Sequence, residues 1–160
     1  MAAPYRLLFV CLGNICRSPA AEGVMRSLIE AKGFTDRVHI RSAGTGGWHA
    51  GKLPDQRMRN AAQNRGYELI SRARQVTEGD LRDYDLILVM DRQNLRDVRS
   101  YDRSSEFGAK IRLFCDFCSV HQESEVPDPY YGGEQGFELV LDLLEDGCRG
   151  VLEHISSALA

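Results

Sequence analysis

The residues Cys11-Leu12-Gly13-Asn14-Ile15-Cys16-Arg17-Ser18 follow the apolar run Leu7-Leu8-Phe9-Val10 and lead into Pro19. A thiol therefore stands at the end of a buried strand, with an arginine six positions later and a helix opening beyond it. A loop between a strand end and a helix start can turn several backbone N–H groups inward. Such a nest binds a tetrahedral oxyanion, helped by the positive end of the helix. Gly13 can take backbone angles that other residues avoid, and Asn14 is one of the few other residues that tolerates a left-handed conformation. Leu12, Gly13, Asn14, Ile15, Cys16, Arg17 and Ser18 are the expected phosphate cradle.

The same field favours a thiolate at Cys11, placed for in-line attack on the phosphorus of a bound ester. Arg17 can clamp two phosphoryl oxygens with a planar fork that lysine lacks. Phosphoryl transfer depends mainly on such positioning and charge stabilisation. The departing oxygen needs a proton, and Asp128, stiffened between Pro127 and Pro129, is the candidate acid. In a second step it would take a proton from the water that hydrolyses a cysteinyl-phosphate. Arg17 and the loop amides supply the positive charge, so no metal and no cofactor is expected.

The elements that must position these groups alternate between strand and helix. Arg6–Cys11 is predicted as the first strand. Apolar residues from Ala20 to Ile29 repeat at helical spacing. Val38–Ser42 is a second strand, ended by Ala43-Gly44-Thr45-Gly46-Gly47. Asp55 to Arg65 is a helix closed by Gly66. A turn-rich segment around Thr77–Asp83 precedes a third strand, Leu86–Met90. Asp91 to Tyr101 is helical, Lys110–Phe114 is a fourth strand, and a last helix carries Phe137, Val140, Leu141, Leu144, Cys148, Val151, Leu152, Ile155 and Leu159 on one face. Alternation of this kind implies an α/β fold, a parallel sheet covered by helices on both faces. Ligands then bind at the carboxyl ends of the strands, where Cys11, Ser42, Asp91 and, after a longer loop, Asp128 all fall.

Residues 1–160 are expected to form one domain, because the length suits a single core and no linker or repeat interrupts it. Hydrophobic and charged contents of 43% and 27% are those of a globular protein, and a net charge of −3 gives no reason to expect nucleic-acid or membrane partners. No stretch is long enough to span a bilayer. The five cysteines do not form a secreted disulfide framework, so a reducing cytoplasm is the expected location. A monomer is the expected state.

The string Val10–Pro19, with Ala21-Glu22 after it, resembles the low-molecular-weight protein tyrosine phosphatase family. Ser42-Ala43-Gly44, Ala73-Arg74-Gln75, Val89-Met90-Asp91 with Asn94-Leu95, and Asp128-Pro129-Tyr130-Tyr131-Gly132 follow in that family's order. The resemblance implies a three-layer domain with a four-stranded parallel sheet, of the phosphotyrosine phosphatase I type. It implies hydrolysis of protein phosphotyrosine and small aryl phosphates, with Cys11 as nucleophile, Arg17 as clamp and Asp128 as acid. Asn14, Ser18 and Ser42 would form a network that fixes the loop, and Leu12, Trp48, Tyr130 and Tyr131 would wall the pocket. A phosphorylated phenol is long enough to reach a deep loop while its ring stacks on aromatics. One departure concerns a histidine that many members place just before the Ala-Arg-Gln segment. Ser71-Arg72-Ala73-Arg74-Gln75 has none.

Cys16 lies close to Cys11, and peroxide could join the two reversibly; ordinary packing of Cys16 is the alternative. Cys115-Asp116-Phe117-Cys118 lacks a second pair for zinc; it could be a redox pair, and core packing after the fourth strand is the preferred reading. Three rival activities remain. Arsenate reduction needs extra thiols near the third strand, and Leu81–Met90 contains none. Arginine phosphatases of this kind tend to carry threonine where this chain has Ile15. A cysteine phospho-carrier would need neither Arg17 nor Asp128.

Overall fold

The computed structural model describes residues 3–130 and 132–159. Four parallel strands form one sheet in the order β2-β1-β3-β4: β1 Tyr5–Cys11, β2 Val38–Gly44, β3 Leu86–Val89 and β4 Ile111–Leu113. β1 is central, and Leu7, Leu8, Phe9 and Val10 are fully buried, as a strand covered on both faces must be. Leu7 and Phe9 pack to one side with α1 (Arg17–Ala31) and α5 (Glu134–Leu159); Leu8 and Val10 pack to the other with Leu81, Tyr84 and Val98. These two faces are the two layers around the sheet. Every apolar residue expected on one face of the last helix is buried in α5.

Most boundaries lie within two residues of those read from the sequence. Asp55 caps α2 (Gln56–Asn64) by accepting from the Arg57 N–H, and Gly66 ends it at φ 88°. The turn-rich segment around Thr77–Asp83 is instead a short helix, α3 (Glu78–Asp83). A reciprocal capping box makes it one: Thr77 accepts from the Asp80 N–H, and the Asp80 side chain accepts from the Thr77 N–H. Asp91 caps α4 (Arg92–Arg99) through the Asn94 N–H. β4 is shorter than expected, because Phe114–Phe117 turns into a 3-10 helix. Among the described residues, no helix is long and apolar enough to cross a membrane.

The register of β1 on β2 pairs Cys11 with Gly44, and β3 ends one residue short of Met90. Thr45 and Met90 are tied back to this rim, the Thr45 N–H donating to the Cys11 carbonyl and the Met90 N–H to the Val10 carbonyl. The loops bearing Cys11, Asp91 and Asp128 thus leave the same edge of the sheet.

Candidate active site

Residues 12–16 wrap from the end of β1 to the start of α1, whose first turn has no side-chain cap. The carbonyls of Cys11, Leu12 and Ile15 accept from the N–H groups of Thr45, Gly46 and Asp55. Among the described residues, no protein acceptor takes the N–H groups of residues 12–17. Carbonyls held outward and amides left unpaired beside a helix start make an anion nest.

Asn14 sets the loop's turn. Its φ is 57°, in the left-handed region, as its residue type suggests. Gly13 takes no such angle. A Cβ there would lie 3.0 Å from His49 Cδ2, so close approach explains this glycine better than backbone freedom. Gly44 is similarly constrained, since a Cβ would lie 2.8 Å from the Leu12 carbonyl oxygen.

The Asn14 side chain is tied down at both ends of its amide. Nδ2 donates to Ser18 Oγ at 2.8 Å and Ser42 Oγ at 3.0 Å, and Oδ1 accepts from the Arg74 N–H at 3.0 Å. A backbone N–H can only donate, which fixes the orientation of the amide. The missing histidine before Ala73 therefore leaves no bond unmade at Oδ1, because the Arg74 backbone supplies the donor. Ser42 Oγ in turn donates to buried Glu22 Oε1 at 2.7 Å. Ser18 Oγ lies 3.1 Å from Cys11 Sγ. Once Cys11 is a thiolate it can only accept, so this hydroxyl then donates to sulfur.

Arg17 is a buried arginine, with a side chain only 2% exposed. Nη1 donates to Asp91 Oδ2 at 2.7 Å and to the Val126 carbonyl at 2.9 Å. Nη2 lies 3.6 Å from Asp128 Oδ2. Burial opposes its charge, but Cys11, Asp91 and Asp128 more than offset that and hold its pKa above the ordinary value. With Nη1 anchored, Nε and Nη2 have no hydrogen-bond acceptor among the described residues. That edge of the fork is the one that can hold an oxyanion bidentately.

Asp128 is about one-third exposed, and its Oδ1 accepts from the Tyr130 N–H at 3.0 Å. Its loop is fastened at both sides. The Val126 N–H donates to the Met90 carbonyl, and Arg57 Nη2 donates to the Tyr130 carbonyl at 2.9 Å. A narrow cleft of about 50 Å³ brings together Cys11, Arg17, Asp128, Ile15, Trp48 and Tyr130, with Leu12, Gly13, Cys16 and His49. Trp48 is 63% exposed at its rim. Tyr131 lies outside the described residues. Cys16 is buried beside Cys11 with its thiol free, and burial, then Asp55 and Cys11, push that thiol's pKa well up.

Sequence alone does not mark Asp91 as a partner of Arg17, nor does it mark Glu22, His49 or the Val126 carbonyl. The Asp91-x-x-Asn94 spacing signals only a helix cap, while the place of Asp91 just after a strand end is what bears on the first. A buried arginine needs an acceptor, and a carboxylate at a neighbouring strand end offers one with charge. Nothing local marks the carbonyl. Among the described residues, no cluster of three metal-ligating side chains occurs.

This geometry is that of an anion-binding loop which sets a cysteine and an arginine between a strand end and a helix start. The chain belongs to the low molecular weight phosphotyrosine protein phosphatase family, whose model matches residues 6–159. It is 46% identical, over 96% of its length and 98% of the relative's, to a Synechocystis protein provisionally named a low molecular weight protein-tyrosine-phosphatase. A crystal structure of a protein tyrosine phosphatase from Entamoeba histolytica superposes with a TM-score of 0.92 at 42% identity, covering 96% of this chain and 98% of that one. The Drosophila arginine phosphatase shares the fold with a TM-score of 0.86 at 28% identity, covering 92% and 96%.

Proposed function

We propose that this chain is one catalytic domain that hydrolyses protein phosphotyrosine and small aryl phosphates through a cysteinyl-phosphate on Cys11. The observation that carries the reading is the convergence of Cys11, the open edge of Arg17 and Asp128 on one cleft. The loop amides and Arg17 bind the phosphoryl oxygens. Cys11 Sγ attacks phosphorus, the bond to the phenolic oxygen breaks, and Asp128 gives that oxygen its proton. Asp128 then takes a proton from water as water attacks the cysteinyl-phosphate, releasing inorganic phosphate and the thiolate. The Ser18 hydroxyl stabilises the sulfur anion before attack and after release.

Trp48 and Tyr130 give an aryl group faces to stack on, and Ile15 fills space in the same cleft. These features favour an aromatic ester over phosphoarginine. The partner is a tyrosine-phosphorylated protein, met by a monomer in the cytoplasm. Oxidation of Cys11 to a sulfenic acid by peroxide, then condensation with Cys16 with loss of water, would give a reversible disulfide. Burial, which raises the pKa of Cys16, works against the thiolate that closes the bond.

Turnover of p-nitrophenyl phosphate by the wild type, Cys11→Ser and Asp128→Ala tests the reading. Cys11→Ser should be inactive and Asp128→Ala slowed by about 10²-fold or more. Stoichiometric phosphorylation of the wild type without turnover would point to a phospho-carrier instead.

A further inference from the structure

A larger cavity, of about 580 Å³, lies apart from the catalytic cleft. Its wall includes Ser42, Glu22 and Arg74, which also belong to the hydrogen-bond network around Asn14.

Five arginines line this cavity. Two are paired: Arg26 with Glu22 at 2.6 Å and Arg74 with Asp80 at 2.9 Å. The other three, Arg6, Arg41 and Arg72, form no side-chain ion pair among the described residues, and Asp83 is the one lining carboxylate also left without one. Arg6 Nε is buried without a hydrogen-bond partner, while its guanidinium lies 4.9 Å from the centre of the Tyr84 ring. Arg41 donates to the carbonyl of Ile40, and Arg72 to that of Gly51. Arg41 and Arg72 are exposed, whereas Arg6 is half-buried, and a guanidinium that loses water without gaining an anion is unfavourable. His39, on the same wall, senses the surplus: burial, then Arg41 and Arg6, hold its imidazole below the usual range.

We infer that this cavity is a second anion site, built for a small oxyanion carrying two or more negative charges, such as a diphosphate. Three unpaired guanidinium groups against one unpaired carboxylate leave room for about two negative charges, and planar forks suit phosphate oxygens. None of the three arginines lines the catalytic cleft. The site is independent of the phosphatase reading, and its wall contains Glu22 and Ser42, which lead through Asn14 to the loop.

The test uses inorganic pyrophosphate and the intact chain with Cys11 carboxymethylated by iodoacetate, which fills the catalytic loop. Calorimetry should show one equivalent bound. In Arg41→Ala/Arg72→Ala, treated alike, affinity should fall by about tenfold or more, while the unmodified double variant turns over p-nitrophenyl phosphate within about twofold of wild type. If the double variant does not fold, Arg41→Ala alone carries the test, since that side chain bonds to the carbonyl of its own strand. Absence of binding to the blocked protein, or binding indifferent to these arginines, overturns the inference.

Discussion

Asp91 holds Arg17 from behind, its Oδ2 accepting from Nη1 at 2.7 Å while its Oδ1 caps α4 through the Asn94 N–H, also at 2.7 Å. One carboxylate thus joins Arg17 to the element after β3. Asp91→Asn keeps an oxygen for the cap and removes the negative charge that faces Arg17. Activity on p-nitrophenyl phosphate should fall by roughly 10-fold to 100-fold in kcat/KM, with a small change in Tm. An unchanged kcat/KM would remove Asp91 as a positioning residue.

Asn14 combines a left-handed φ with three hydrogen bonds. Asn14→Ala should lower stability by about 4 kcal/mol, from roughly 1 kcal/mol for each lost bond and a similar backbone cost. Asn14→Gly should recover only the backbone part. Urea unfolding of both variants separates the two contributions; equal losses would mean the backbone conformation costs nothing.

Much of this site can be read locally. The Cys11–Ser18 string, its preceding strand and Asp128 between prolines are written in consecutive residues. Asp91 and Glu22 are harder, because their partners are 74 and 20 residues away and only the sheet order brings them together. The Val126 carbonyl and the Arg74 N–H carry no side-chain signature at all, yet both complete hydrogen bonds at the loop. Helix α3 has too few residues to show an apolar period, and its capping box is the only local sign. Gly13 misleads because a glycine needed for space looks the same in sequence as one needed for its angles.

Trp48 stands over Gly46, where an added Cβ would collide with the indole. Trp48→Ala should raise KM for aryl phosphates by about twofold to tenfold and leave kcat nearly unchanged. Gly46→Ala displaces the same ring and should move KM in the same direction. An unaltered KM in Trp48→Ala would take the indole out of the pocket wall.

Asp146 in α5 fastens the segment after β4. Burial disfavours its charge, but the N–H groups of Ser119, His121 and Val120, with the His121 ring, outweigh that and hold its pKa at about 2. An unfolded aspartate titrates at about 3.9, so this stabilisation is complete above that pH and is lost as pH falls towards the folded value. Its size is on the order of 2 to 3 kcal/mol, at roughly 1.4 kcal/mol per pKa unit. The stability gap between wild type and Asp146→Asn in urea should therefore narrow between about pH 5 and pH 2. A gap that stays constant over that range would contradict the shift.

If phosphate passes through Cys11, it can be caught there. Wild type mixed with p-nitrophenyl phosphate, quenched rapidly in acid and digested, gives peptides for mass spectrometry. Phosphate should be found on the peptide containing Cys11 during turnover, with neither adduct nor turnover in Cys11→Ser. Turnover that persists in Cys11→Ser, with no phosphate ever found on the Cys11 peptide, would contradict the proposed route.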